Sequence, residues 1–211
     1  MYPLKFEPIL KQTLWGGDKI IAFKQLNETL SGVGESWEIS AVEDNESVVA
    51  NGPDKGLTLP EMVGKYRHEL VGEANYSRFG TKFPLLIKFI DAKNNLSIQV
   101  HPGDDYALQK EDEYGKNELW YVVDCEPDSY LYCGFSKDTD EEEVRQRIED
   151  GTLPEILNKI PVRKGESYFI ETGTVHAIGP GVLICEIQQS SNVTYRLYDY
   201  KRRDKYGELR E

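Results

Sequence analysis

The sequence predicts a mainly β fold, a sandwich or barrel of short antiparallel strands carrying helical inserts. Three observations carry this. From Pro84 onward, segments rich in β-branched and aromatic residues follow one another closely. Turn glycines punctuate them, among them Gly165, Gly173, Gly179 and Gly181. Helix-start signals cluster in two stretches only, near 58–72 and 138–159. No repeat or low-complexity linker divides the 211 residues, so 1–211 reads as one domain.

In chain order, residues 4–9 and 36–41 read as short strands separated by Gly- and Asn-containing loops. Thr58-Leu59-Pro60-Glu61 is a capping box with proline in the first turn, which predicts a helix. Met62, Val63, Tyr66 and Leu70 lie on its buried face, His68 in its solvated part, and Gly72 ends it. Strands are expected at 84–91, 96–101, 118–124 and 129–135. A helix follows, opened by Asp138-x-x-Glu141 or Thr139-x-x-Glu142, with Val144 and Ile148 inward and Gly151 as its stop. A second short helix is expected at 153–158, and strands resume at 167–171, 182–189 and 193–200.

Composition narrows the function. Apolar residues make up 39%, charged 29% and aromatic 11%, an ordinary soluble mix. Lys and Arg number 25 against 37 Asp and Glu, a net charge of −12, which argues against nucleic acid or an anionic membrane as partner. A few local cations still suffice to hold a small anionic substrate. Cys125, Cys133 and Cys185 are odd in number and form no CxxC. With no secretory signal at the N-terminus, they read as reduced thiols of a cytoplasmic protein. No apolar stretch approaches the roughly 20 residues that span a bilayer.

The chemistry-bearing residues begin at Leu96-Ser97-Ile98-Gln99-Val100-His101-Pro102. Strand alternation sends Ser97, Gln99 and His101 to one face. Lys116-Asn117-Glu118 opens a later strand, and His176 follows the turn Glu171-Thr172-Gly173. Two imidazoles, a carboxylate and an amide suit zinc or another first-row divalent ion; two separately hydrogen-bonded histidines are the alternative reading.

Gly165-x5-Glu171-x-Gly173-x2-His176 resembles the second cupin motif, and Gln99-x-His101 with the later Glu118 resembles the first. With Leu14-Trp15-Gly16-Gly17, Gly34-Glu35-Ser36-Trp37-Glu38-Ile39-Ser40, Pro84-Leu85-Leu86-Ile87-Lys88 and Tyr195-Arg196-Leu197-Tyr198-Asp199, the chain resembles the short bacterial form of type I mannose-6-phosphate isomerases. The blocks occur in family order from near residue 3 to near 203. The resemblance implies a cupin-type jelly roll (double-stranded β-helix) holding one zinc per chain at His101, Glu118 and His176, with Gln99 as a fourth ligand. It makes Arg196 and Lys116 the active-site cations, and gives substrate contacts to Trp15, Lys88, Ser97 and Arg202. It also implies that a C-terminal β-domain of the family is missing from this chain.

The implied reaction interconverts mannose 6-phosphate and fructose 6-phosphate through a cis-enediol(ate). Zinc and Arg196 would offset negative charge on the sugar oxygens. The C2 base stays open between Lys116 and a zinc-bound hydroxide. Two other classes compete: a non-catalytic cupin sensor of sugar phosphates, and an iron-dependent cupin dioxygenase. The sequence leaves open whether the chain is a monomer or a homo-oligomer.

Overall fold

A computed structural model describes residues 1–26, 29–204 and 206–210. Its elements are β1 (Ile9–Gly17), α1 (Lys19–Lys24), β2 (Val33–Ile39), β3 (Ala41–Val42), β4 (Asn45–Glu46), α2 (Leu59–Tyr66), α3 (His68–Val71) and α4 (Glu73–Phe79). There follow β5 (Leu85–Ala92), β6 (Ile98–Val100), α5 (Asp104–Lys110), β7 (Glu118–Cys125), β8 (Tyr130–Phe135) and α6 (Glu141–Asp150). A 3₁₀ turn (Leu153–Ile156) leads into β9 (Leu157–Pro161), β10 (Ser167–Ile170), β11 (His176–Ile178), β12 (Val182–Gln189) and β13 (Tyr195–Tyr198).

Two antiparallel sheets make a sandwich. One has six strands in the order β1-β2-β5-β12-β7-β10, the other five in the order β13-β6-β11-β8-β9. Trp15, Ile90, Trp120, Leu131, Ile178 and Ile184 form the principal core, drawn from both sheets. Of the two forms the sequence allows, the sandwich is the one built: among the described residues no pairing closes the sheets into a barrel.

Helices cover the outer faces. Helix α1 buries Ile20 and Ile21 against Val33 and Leu183 of the six-stranded sheet. Helix α6 packs Val144 and Ile148 on a second cluster that includes Ile98, Leu153, Val175 and Tyr198, behind the five-stranded sheet. A fully buried isoleucine such as Ile20 contributes about 1.5–3 kcal/mol.

Local chemistry explains most boundaries. The Thr58 hydroxyl accepts from the Glu61 N–H (3.4 Å), and the Glu61 carboxylate accepts from the Thr58 N–H (2.7 Å), completing the capping box. The single helix expected to run to Gly72 is instead two, broken at Arg67 (φ 49°), which leaves the helical region; Gly72 (φ 83°) ends the second as expected, and α4 follows it. Helix α6 is capped by Asp140, whose side chain accepts from the Glu143 N–H at 2.8 Å; Asp138 and Thr139 lie before the cap. Gly151, in left-handed conformation, ends it. The helix expected at 153–158 is one 3₁₀ turn, and the chain then joins the sheet edge as β9. Residues 4–9 give only the bridge Phe6–Val49, while the strand proper lies further on, in β1.

Candidate active site

Period-2 alternation places the cleft. On β12 the inward set is Val182, Ile184, Glu186 and Gln188; on β5 it is Leu86, Lys88 and Ile90; on β7 it is Glu118, Trp120 and Val122. Register aligns Glu186 with Lys88 on one side and Trp120 on the other, and Gln188 with Glu118. The inner face thus turns from apolar to polar toward one end of the sandwich, where a cleft of about 1020 Å³ opens. From the facing sheet, Arg196, Gln99, His176 and Cys133 make one cross-strand row. A register irregularity between Arg196 and Tyr198 sends Tyr198 into the core behind the sheet, whereas Arg196 and Thr194 line the cleft.

His101, Glu118 and His176 are each about 1% exposed, and their ligand atoms lie within 4.8 Å of one another. His101 Nε2 is 3.1 Å from Glu118 Oε1, and His176 Nε2 is 3.6 Å from Glu118 Oε2. Each ring turns its other nitrogen to a main-chain carbonyl: His101 Nδ1 to Val193 (3.1 Å) and His176 Nδ1 to Thr174 (2.8 Å). A nitrogen facing a carbonyl carries the proton, so both Nε2 lone pairs point at the carboxylate. Burial lowers the pKa of both histidines and keeps the imidazoles neutral. Burial opposes ionisation of Glu118, but the Lys116 ammonium outweighs it and holds the carboxyl far below its ordinary range. Two neutral imidazoles and one carboxylate, with neighbouring positions open to the cleft, fit a first-row divalent cation. Gln99 Nε2 stands 3.4 Å from His176 Nε2, and a flip of its amide would present Oε1 instead.

The loop between the first two candidate ligands, residues 102–117, is closed at its neck. Lys116 N–H donates to the Pro102 carbonyl (3.2 Å), and Gly115 N–H to Asp104 Oδ1 (2.8 Å). A Cβ on Gly115 would come within 2.6 Å of the Asp104 nitrogen and 2.8 Å of the Pro102 oxygen, so only glycine fits. The second-motif turn is tied to the first by Gly173 N–H donating to the His101 carbonyl at 2.8 Å.

Lys116 lies 3.0 Å from Glu118 Oε1 and 3.3 Å from His101 Nε2. Lys88 is buried between Glu186 (3.1 Å) and Glu35 (3.8 Å). Burial disfavours its charge, but the surrounding carboxylates prevail and raise its pKa. Ser97 is buried and lines the cleft, as does Trp15, which is also part of the main core. Arg202 is not brought in. Its guanidinium holds Asp199 Oδ1 and donates to the Asn95 carbonyl (2.8 Å), away from the cleft lining.

Sequence reasoning missed Glu186. It is 3% exposed, accepts from Trp120 Nε1 at 2.7 Å, and is held protonated more readily than an ordinary carboxyl by burial and by Glu118. The signal was present: Glu186 falls on the inward phase of Val182 and Ile184, where a surface strand would not put a carboxylate.

The chain is similar to known proteins. Residues 4–128 match the family described as phosphomannose isomerase type I, catalytic domain. The chain is 43% identical to mannose-6-phosphate isomerase ManA of Bacillus subtilis over 99% of its length and 64% of the relative's. It is 40% identical to the mannose-6-phosphate isomerase of Streptococcus mutans, again over 99% of this chain and 64% of the other. The chain therefore spans just under two thirds of these relatives. A crystal structure of mannose 6-phosphate isomerase from Bacillus subtilis superposes with a TM-score of 0.90 at 37% identity, covering 100% of this chain and 66% of that one.

Proposed function

The chain belongs to the type I phosphomannose isomerase family, and from that premise we propose that it interconverts mannose 6-phosphate and fructose 6-phosphate with one bound zinc ion. The observation that carries the reading is the convergence of two Nδ1-anchored imidazoles on Glu118 within 4.8 Å, with Glu118 lining a cleft that Lys116 and Arg196 also line. His101, Glu118 and His176 would hold the metal, with Gln99 beside them. Residues 1–211 act here as one catalytic unit. No described helix is long and apolar enough to cross a membrane, in keeping with a cytoplasmic sugar-phosphate enzyme.

When bound, zinc would polarise the sugar carbonyl and offset charge developing on its oxygens. Arg196, permanently cationic, adds a second positive charge across the cleft. Lys116 Nζ, 3.0 Å from Glu118, orients the carboxylate and, lining the cleft, would exchange a proton with the sugar at C2 or C1. Glu186, with its raised pKa, can hold or release a proton on the same sheet as Glu118. Lys88 balances its ionised form at 3.1 Å. A sensor would need no metal and no proton transfer by Lys116, and the named relatives give it no support.

The test is fructose 6-phosphate formation from mannose 6-phosphate by the 211-residue chain, with zinc added and then chelated. Turnover that stops on chelation and returns with zinc is expected. A folded, zinc-loaded chain with no turnover would overturn the proposal for this chain.

A further inference from the structure

The cations of the cleft are not equally available to an anion. Lys88 sits against Glu186 and Glu35, and Lys116 against Glu118, so a phosphate dianion at that end would meet carboxylates. The part of the cleft lined by Arg196 and Arg210 differs. There Arg196, Arg202 and Arg210 gather around one fully buried carboxylate, Asp199, in a protein whose net charge is −12. Arg202 takes Asp199 Oδ1, and Arg210 Nε takes Oδ2 at 3.2 Å. Arg196 Nη1 donates to the Arg210 carbonyl at 3.1 Å. Asp204 lines the same end, but its Oδ1 accepts from the N–H groups of Tyr206 (2.8 Å) and Glu208 (3.0 Å). Three guanidinium groups against two carboxylates leave one positive charge in excess.

Arg196 and Arg210 both line the cleft, whereas Arg202 does not. Each guanidinium carries five donors, and among the described residues the contacts above take one from each of the two. The remaining donors form paired forks of the kind that match phosphate oxygens. Burial and the proximity of Arg210 lower the pKa of Arg196, and an anion beside the two would offset both effects.

We propose that Arg210, beside Arg196, is a phosphate-binding residue of the cleft. This deepens the isomerase reading and rests on it for the identity of the sugar, though not for the anion. A bridge pairs Arg203 with Leu209, next to Arg210 on the cleft wall.

The experiment is equilibrium titration of the zinc-loaded chain with inorganic phosphate, with mannose 6-phosphate and with mannose, in wild type, Arg210→Gln and Arg210→Lys. Glutamine keeps the backbone carbonyl that holds Arg196, so only the guanidinium is removed. Arg210→Gln should weaken phosphate and mannose 6-phosphate binding about 10- to 100-fold and leave mannose unchanged. Arg210→Lys should fall between; if the glutamine variant fails to fold by thermal melting, the lysine variant's loss decides. Equal affinity for phosphate in wild type and variants overturns the proposal, as does a wild type that binds mannose 6-phosphate no better than mannose. A wild type that binds phosphate through Arg210 yet does not isomerise leaves this proposal standing and removes the isomerase reading.

Discussion

Glu186 and Lys88 are cross-strand partners on β12 and β5, and their side chains meet at 3.1 Å with both nearly sealed from solvent. Glu186 also lies near Glu118, so Lys88 holds apart two carboxylates that would otherwise repel. Removing one member of such a buried pair costs about 3–5 kcal/mol, whereas replacing both with apolar groups is near neutral. Lys88→Met should therefore destabilise the fold by that amount, and Lys88→Met with Glu186→Leu should regain most of it. Urea unfolding of the two variants decides; a double variant no more stable than the single one refutes the pairing. Both should lose isomerase activity.

Glu118→Gln keeps the shape of the candidate metal centre and removes its only carboxylate. Even supporting residues around a metal are worth about 10–100-fold in affinity, so a direct ligand should cost at least that. Competition with a chromogenic chelator measures it, and circular dichroism checks that the fold persists. Unchanged zinc affinity would exclude Glu118 as a ligand.

Gly34 leaves no room beside Trp15: an added Cβ would lie 2.7 Å from Trp15 Cζ3 and would also strike the Thr13 hydroxyl. Gly34→Ala should cost about 1–3 kcal/mol by overpacking. Because Trp15 also lines the cleft, the displaced ring should raise KM for mannose 6-phosphate more than it lowers kcat. Steady-state kinetics beside a melting curve separate the two effects. A stability loss with unchanged KM would make Trp15 a core residue alone.

Asp54 is buried beneath the helical insert and accepts from Lys65 Nζ (2.5 Å) and Tyr66 Oη (2.7 Å). These bonds lower its pKa from the ordinary 3.8. The unfolded chain then binds the proton more readily, so this stabilisation is complete above pH 3.8 and lost as pH falls through the lower folded value. Asp54→Asn should be less stable near neutrality and should show a shallower fall in Tm below pH 4. Parallel acid limbs for wild type and variant would deny Asp54 this role.

Much of this was legible because strand chemistry is local. The inward phase of 96–101, the opening of a strand at Glu118 and the glycine turn before His176 are visible in the sequence, and they converge as expected. Short elements were not legible. Helix α1 is held by Ile20 and Ile21 packing on the sheet, with no side-chain cap to announce it. Strand β9 exists because an edge was free to pair, not because Leu157–Pro161 has strong β character. Arg202 and Arg210 illustrate the limit for side chains. Both are arginines beside one aspartate, and only the path of the chain after Tyr198 decides which of them faces the cleft.

The closed neck of residues 102–117 separates two things that sequence distance would otherwise couple. His101 and Glu118 are positioned by their strands and by the bonds at the neck, so what lies beyond it carries no information about ligand geometry. The outer part, around α5, is thus a place where the chain can be lengthened, shortened or recoded while the distance between two ligands is conserved. Divergence among relatives should collect there, and an affinity tag inserted near Asp112 should leave metal affinity at the candidate site unchanged.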